Sequence, residues 1–152
     1  MAVISLKQLQ NELKEIEKSA QGLTPLLQRV GSIVQSESSR AFEGQRSPFG
    51  EAWKAHAPAT LAKKLKERKL GARILQYTGT LAMSIKPSYT ANSVSVGSNV
   101  KYAAIHQFGG KAGRGHKVNI PARPFLPINE KNEISPSLER QINAILNRFL
   151  EF

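Results

Sequence analysis

The sequence predicts an α+β fold: a small antiparallel β-sheet packed by an N-terminal helical hairpin, a middle basic helix and a C-terminal helix. Three observations carry that reading. Apolar residues recur at steps of three and four near both ends, as on one face of a helix. Short runs in the middle alternate apolar and polar residues, as half-buried strands do. Glycines and prolines separate these runs at hairpin-like intervals. A chain of 152 residues fits one domain with a real core. It divides into the hairpin (1–42), an aromatic, Gly- and Pro-containing loop (43–58), a basic helix with the sheet (59–128) and a last helix (135–152).

Leu6, Leu9, Leu13, Ile16 and Ala20 form the stripe of the first helix, with Ser5 as cap and Gly22 as stop. Thr24-Pro25 opens the second, Thr as cap and Pro at the first helical position, where its missing N–H costs nothing. Leu26, Leu27, Val30, Ile33 and Val34 supply its buried face, and the short link predicts an antiparallel pair. Phe42 to Pro58 reads as an irregular connection, broken by Gly44, Pro48 and Gly50. Its aromatics Phe42, Phe49 and Trp53 require burial against the domain or a partner. Truncating a core Trp costs roughly 3–5 kcal/mol.

Ala59–Lys69 reads as a basic helix with Leu61, Leu65 and Leu70 as a narrow apolar edge and Gly71 as its end. Lys63, Lys64, Lys66, Arg68 and Lys69 cover the remainder. Leu81, Met83 and Ile85 alternate like a strand, although Leu81 and Ile85 equally fit one helical turn. Pro87 to Asn92 reads as a turn and Ser93–Gly97 as the returning strand. Tyr102–Phe108 is a short helix stopped by Gly109-Gly110, followed by a glycine-rich basic loop, Lys111–Lys117. Val118 and Ile120 suit a strand, and Pro121 and Pro124 stiffen the segment that presents Phe125 and Leu126. Ser135-Pro136 caps the last helix, whose stripe is Leu138, Ile142, Ile145, Leu146 and Phe149.

Composition narrows the chemistry. The chain has no Cys and no Asp; all eleven acids are Glu. That removes disulfides and thiolate metal sites, and it removes the short carboxylate that many hydrolases and phosphoryl-transfer enzymes use. His56, His106 and His116 stand in three separate contexts without a Glu at metal-site spacing. No nucleophile elbow and no P-loop spacing is present. Neither a catalytic site, nor a cofactor, nor a metal is therefore expected. His106 and Gln107 are expected to hydrogen-bond backbone groups that anchor the short helix. Arg123, held between prolines, suits either a carboxylate on a neighbour or a Glu of its own chain.

The N-terminus lacks the pattern of a secretory signal, and no apolar run is long enough to span a membrane. Synthesis in the cytoplasm is the expectation. The net charge of +11 is concentrated: residues 54–73 carry seven Lys or Arg against Glu67, and residues 101–123 carry five and no acid. Such segments either form a solvated face or draw acidic partners and nucleic acid at long range.

Several spaced blocks resemble the phage virion morphogenesis family, the tail-completion proteins of tailed phages and Mu-like prophages. Phe42, Gly44, Pro48, Gly50 and Trp53 resemble its aromatic–glycine–tryptophan loop, and Thr60 with Lys64 its basic helix. Ile74-Leu75, Thr78-Gly79, Leu81 and Ser84-Ile85 form a third block. Gly97-Ser98-Asn99 with Tyr102-Ala103, Ile105-His106-Gln107-Phe108-Gly109 forms the fourth, and Ile120-Pro121-Ala122-Arg123-Pro124-Phe125-Leu126 the fifth. Together they span about residues 42–126. Family members often carry Pro and Leu after the Trp, whereas Lys54-Ala55-His56-Ala57-Pro58 stands here.

The resemblance implies a structural protein, not an enzyme, made in the host bacterial cytoplasm and then part of the virion neck. It would act at the head–tail junction as a homo-oligomeric ring, against neck, tail-terminator or head-connector proteins. A ring needs heterologous interfaces on each subunit. Trp53, Thr78, Gly79, Leu81, Tyr102, His106, Gln107, Phe108, Gly109, Pro121, Arg123, Pro124 and Phe125 are its motif residues. The competing reading is a nucleic-acid-binding module in which Lys63, Lys64, Lys66, Arg68, Lys69, Arg114 and Lys117 track phosphates without sequence preference. Nothing supports specific base readout. In a connector the two readings overlap, because such a ring surrounds DNA.

Overall fold

The computed structural model describes residues 7, 10, 11, 13–15, 22–67 and 73–150. Its first full helix, α1 (Thr24–Gly44), organises the rest. Pro25 sits in its first turn, but Thr24 does not cap it. Leu23 takes the cap position, with no side-chain bond, because its own side chain is buried in a cluster with Leu26. The helix runs through Phe42 and ends where Gln45 turns left-handed (φ 50°). The irregular connection thus starts later than the sequence predicts: Phe42 and Gly44 are helical, and Phe42 and Ala41 complete the buried face. Gly31 leaves room for the Tyr89 ring against the helix.

The N-terminal half of α1 packs on α5 (Pro136–Leu150), where Leu23 and Leu26 meet Ile145 and Leu146. Ser135 starts α5 as expected: its Oγ accepts the Leu138 N–H at 3.3 Å and its carbonyl the Glu139 N–H at 2.9 Å. Residues 7, 10, 11 and 13–15 are helical, and Leu13 packs on the same cluster. The cap and most of the stripe expected for the first helix lie outside the described residues. Between the two halves, the buried carboxylate of Glu37 accepts from Gln141 Nε2 (2.6 Å), Ser137 Oγ (3.1 Å) and Arg40 (3.3 Å). This arrangement pins α5 across α1.

The C-terminal half of α1 contributes Ala41 and Phe42 to a second cluster with Trp53, Leu81, Ile85, Ala103 and Phe125. Phe42 meets Trp53 edge-on at 5.5 Å and Phe125 at 5.3 Å. Residues 45–57 deliver Trp53 through a tight excursion in which the Ser47 N–H reaches Glu51 O (2.7 Å) and the Trp53 N–H reaches Gln45 O (3.0 Å).

Two strand assignments shift. Thr80–Ser84 is a helix (α3), not a strand: Leu81 and Ile85 are buried four residues apart, while Met83 is 69% exposed. Gly79, at φ 78°, makes the turn into it. The strand lies beyond, at β1 (Lys86–Tyr89), and includes the Pro87 expected in a turn. Antiparallel pairing with β2 (Val94–Gly97) places Pro87 opposite Val96. Proline is tolerated because both strands of this ribbon are edges.

The expected basic loop joins a second ribbon, β3 (Gly110–Ala112) with β4 (Val118–Ile120): Lys111 and Ala112 belong to β3, and a 3₁₀ turn, Arg114–His116, forms the tip. The sheet is therefore two separate pairs. Between them runs α4 (Ala103–Phe108). The basic helix is α2 (Pro58–Lys66), with Pro58 in its first turn; Arg68, Lys69, Leu70 and Gly71 lie outside the described residues. No helix among the described residues is long and apolar enough to cross a membrane.

Candidate functional site

A cavity of about 890 Å³ opens between α2, the segment Lys54–Ala57, the loop leading into α3, the start of α4 and the strand that leaves β4. Of the motif residues, Thr78, Gly79, Leu81, Tyr102, His106, Pro121 and Arg123 line it, together with Thr60 and Lys64 of α2. Four of the five sequence blocks thus meet in one place. The exception is the aromatic loop, whose Trp53 lies in the core. Its indole N–H donates to Pro124 O at 2.8 Å, bracing the proline segment from beneath.

Among the described residues, Arg123 meets no Glu of its own chain. It is buried, with Nε donating to Lys54 O (2.8 Å) and a terminal nitrogen to Ala55 O (2.9 Å). Lys54 and Ala55 lie in an irregular stretch, so their carbonyls lack secondary-structure partners and the guanidinium satisfies them. Its N–H in turn donates to His106 O (2.7 Å). Burial lowers the Arg123 pKa, without preventing its charge.

Lys64 corrects the reading of α2. The apolar edge faces outward, with Leu61 and Leu65 exposed, while Lys64 is the buried residue. Its Nζ donates to Arg73 O and lies 5.9 Å from the centre of the Tyr77 ring. Burial, and then Arg123, lower its pKa. Lys63 and Lys66 are exposed, and Lys63 approaches Glu67 at 4.0 Å. Arg114 and Lys117 belong to the hairpin tip and do not line the cavity. The expected basic patch is therefore divided between two places and has lost Lys64 to the interior.

His106 also departs from expectation. Its Nδ1 is buried without a hydrogen-bond partner, and its ring packs edge-on against Tyr102 at 5.9 Å. Burial, and then Arg123, push its pKa below the usual imidazole value. Gln107 behaves as expected and anchors more than α4. Its Oε1 accepts the N–H groups of Phe125 and Leu126, both at 2.9 Å, and its Nε2 reaches Ile128 O at 3.2 Å. Phe125 is the buried centre of the core, but Tyr102 and Phe108 are half exposed. Phe108 and Pro124 border a separate shallow hollow.

Gly109 has φ 73° and lies so close to Ala122 that a Cβ would collide with its backbone nitrogen. Opposite, Leu75 is held at φ 58°, a left-handed conformation that costs roughly 1–2 kcal/mol in a non-glycine residue. His56 and His106, separate in sequence, share the cavity wall, a convergence no spacing rule could reveal. Among the described residues, no group of three or more His, Cys, Asp or Glu is placed to hold a metal.

Fold and cavity together give an α+β domain with a concave surface lined by apolar side chains and by Lys54, Lys64 and Arg123. Residues 4–151 match the phage virion morphogenesis family, and the chain belongs to that family. It is 39% identical over 136 residues to the Mu-like prophage FluMu G protein 2 of Haemophilus influenzae, covering 88% of each chain. It is 32% identical over 123 residues to protein G of Escherichia phage Mu, described for capsid assembly, covering 78% of this chain and 79% of that one. No solved structure matches. The chain is thus a phage structural assembly protein of the virion.

Proposed function

We propose that the chain acts at the head–tail junction, completing the tail or joining it to the DNA-filled head, and that it works as a ring of identical subunits. It acts by binding, with no turnover. The observation that carries this reading is convergence: four motif blocks far apart in sequence close around one surface, on a chain matched over residues 4–151 by a virion-morphogenesis family. The capsid-assembly description of the Mu relative favours a place at the head side of the joint. Neighbouring subunits and neck, tail-terminator or head-connector proteins are the expected partners, with the exposed Lys63, Lys66, Arg114 and Lys117 turned towards acidic surfaces or packaged DNA.

Blocking expression of the chain in an inducible phage and imaging the lysate tests the proposal. Separate DNA-filled heads and full-length tails are expected; intact infectious particles would overturn it. A salt titration with short duplex DNA tests the alternative, because phosphate binding weakens steeply with salt. Absence of binding near physiological salt would remove DNA binding as the primary role.

A further inference from the structure

We propose that the cavity is a receptor for an acidic, partly apolar peptide segment of a partner protein, whose carboxylate seats against Arg123 and Lys64. The cavity wall carries uncompensated charge. Lys64 and Arg123 are buried, yet among the described residues neither lies within ion-pair distance of a carboxylate. Buried charges normally occur paired, because desolvation costs several kcal/mol per ion on the order of magnitude that continuum and mutational work agree on. Here the partners are neutral carbonyls. Arg123 uses two of its five N–H donors on Lys54 O and Ala55 O, leaving three without a partner among the described residues. The buried Nδ1 of His106 is also unpartnered. No Glu lines the cavity, so Arg123 and Lys64 border a space that the described residues leave without a group of opposite charge.

The walls identify the rest of the occupant. Leu75, Leu81, Val118, Ile120 and Pro121 are apolar, and Tyr102 and Val118 are about half exposed at the cavity. An apolar side chain next to a carboxylate satisfies both floor and wall. Duplex DNA does not: a rigid duplex needs a row of exposed cations along an open surface, whereas Lys64 and Arg123 are recessed in the wall of a cavity that a flexible peptide can enter and Lys54 alone of its lining cations is exposed. The inference takes from the assembly reading only that the chain works by binding. It is measured on the isolated chain, so its failure is distinct from a failure of the junction assignment in phage.

The probe is the peptide acetyl-Glu-Phe-Leu-Glu-amide, compared with acetyl-Gln-Phe-Leu-Gln-amide, by NMR titration of the full chain. Expected are saturable shifts at Thr60, Thr78 and His106, with the acidic peptide at least about tenfold tighter, a difference of about 1.4 kcal/mol. Two exposed positions of the wall supply variants that leave the core intact: Lys54→Glu reverses local charge, and Thr60→Trp fills space. Each should abolish the shifts while the rest of the spectrum is retained. Equal binding of the neutral peptide, shifts confined to other surfaces, or displacement of the acidic peptide by a 12-bp duplex would overturn the proposal. Cavity shifts that appear on raising protein concentration alone would assign the face to a second copy and overturn it as well.

Discussion

The side-chain oxygen of Gln107 accepts the backbone N–H of Phe125 at 2.9 Å, and the same oxygen accepts Leu126. A helix side chain thus takes the place of a neighbouring strand for these two N–H groups of the proline segment. Gln107→Leu leaves two N–H groups unsatisfied in a dry site, each worth about 1–3 kcal/mol. The expected loss is about 2–4 kcal/mol in urea denaturation. Gln107→Glu should also destabilise, because its carboxylate would face the carbonyls of Leu126 and Ile128 that the amide now donates to. Wild-type stability in either variant would contradict this role.

Lys64 should behave in the opposite sense. Its buried ammonium has a carbonyl for a hydrogen-bond partner and Arg123 as a like-charged neighbour. Replacing a buried charge by an apolar group of similar volume is often neutral or stabilising by about 1–4 kcal/mol. Lys64→Met is therefore expected to keep or raise the midpoint of thermal unfolding. A loss above about 2 kcal/mol would show that the bond to Arg73 O is structurally required.

The two glycines of the most specific block separate conformational need from mere presence. Gly109→Ala forces a Cβ to 2.8 Å from Ala122 N and 3.1 Å from Ile120 O at a left-handed φ, against backbone and not a flexible side chain. Gly97→Ala meets nothing within 4 Å and no left-handed strain. Circular-dichroism melts should show Gly109→Ala losing about 2 kcal/mol or more and Gly97→Ala changing little. Equal effects would mean that the close approach at Ala122 is relieved by movement of the chain.

Much of this architecture is legible in the sequence. Leu138, Ile145 and Leu146 face inward as their spacing predicts, and Ser135 caps as its type predicts. The α+β class follows from the same periodicities. Where the reading fails, local pattern is overruled by neighbours far away in sequence. Leu81 and Ile85 satisfy a period of two and a period of four, and only their packing against Phe42 and Trp53 decides for the helix. The stripe on α2 looks apolar at Leu61 and Leu65, but the carbonyl of Arg73 and the ring of Tyr77 lie on the other side and draw Lys64 inward. Within the chain Arg123 binds the carbonyls of Lys54 and Ala55, and a backbone carbonyl carries no sequence signal. The one departure from the family pattern, Lys54–Pro58, supplies those carbonyls and part of the cavity wall.

The buried imidazole of His106 makes stability depend on pH. Its pKa in the folded chain lies below the ordinary value of about 6.5, because burial and then Arg123 disfavour the charged form. Between that lowered value and about 6.5 the unfolded chain binds more protons than the folded one, so stability rises with pH. Its contribution is complete above about pH 7 and is lost as the pH falls below about 6.5, where most carboxylates are still ionised. Urea denaturation from about pH 7.5 to 5.5 should show a falling midpoint in the wild-type chain. The His106→Gln variant should show a shallower fall, since it removes the imidazole whose pKa burial lowers. His56 and His116 remain in both proteins and cancel in the comparison. Parallel pH profiles for the two chains would mean that His106 titrates normally and that the cavity reaches water more freely than its buried Nδ1 indicates.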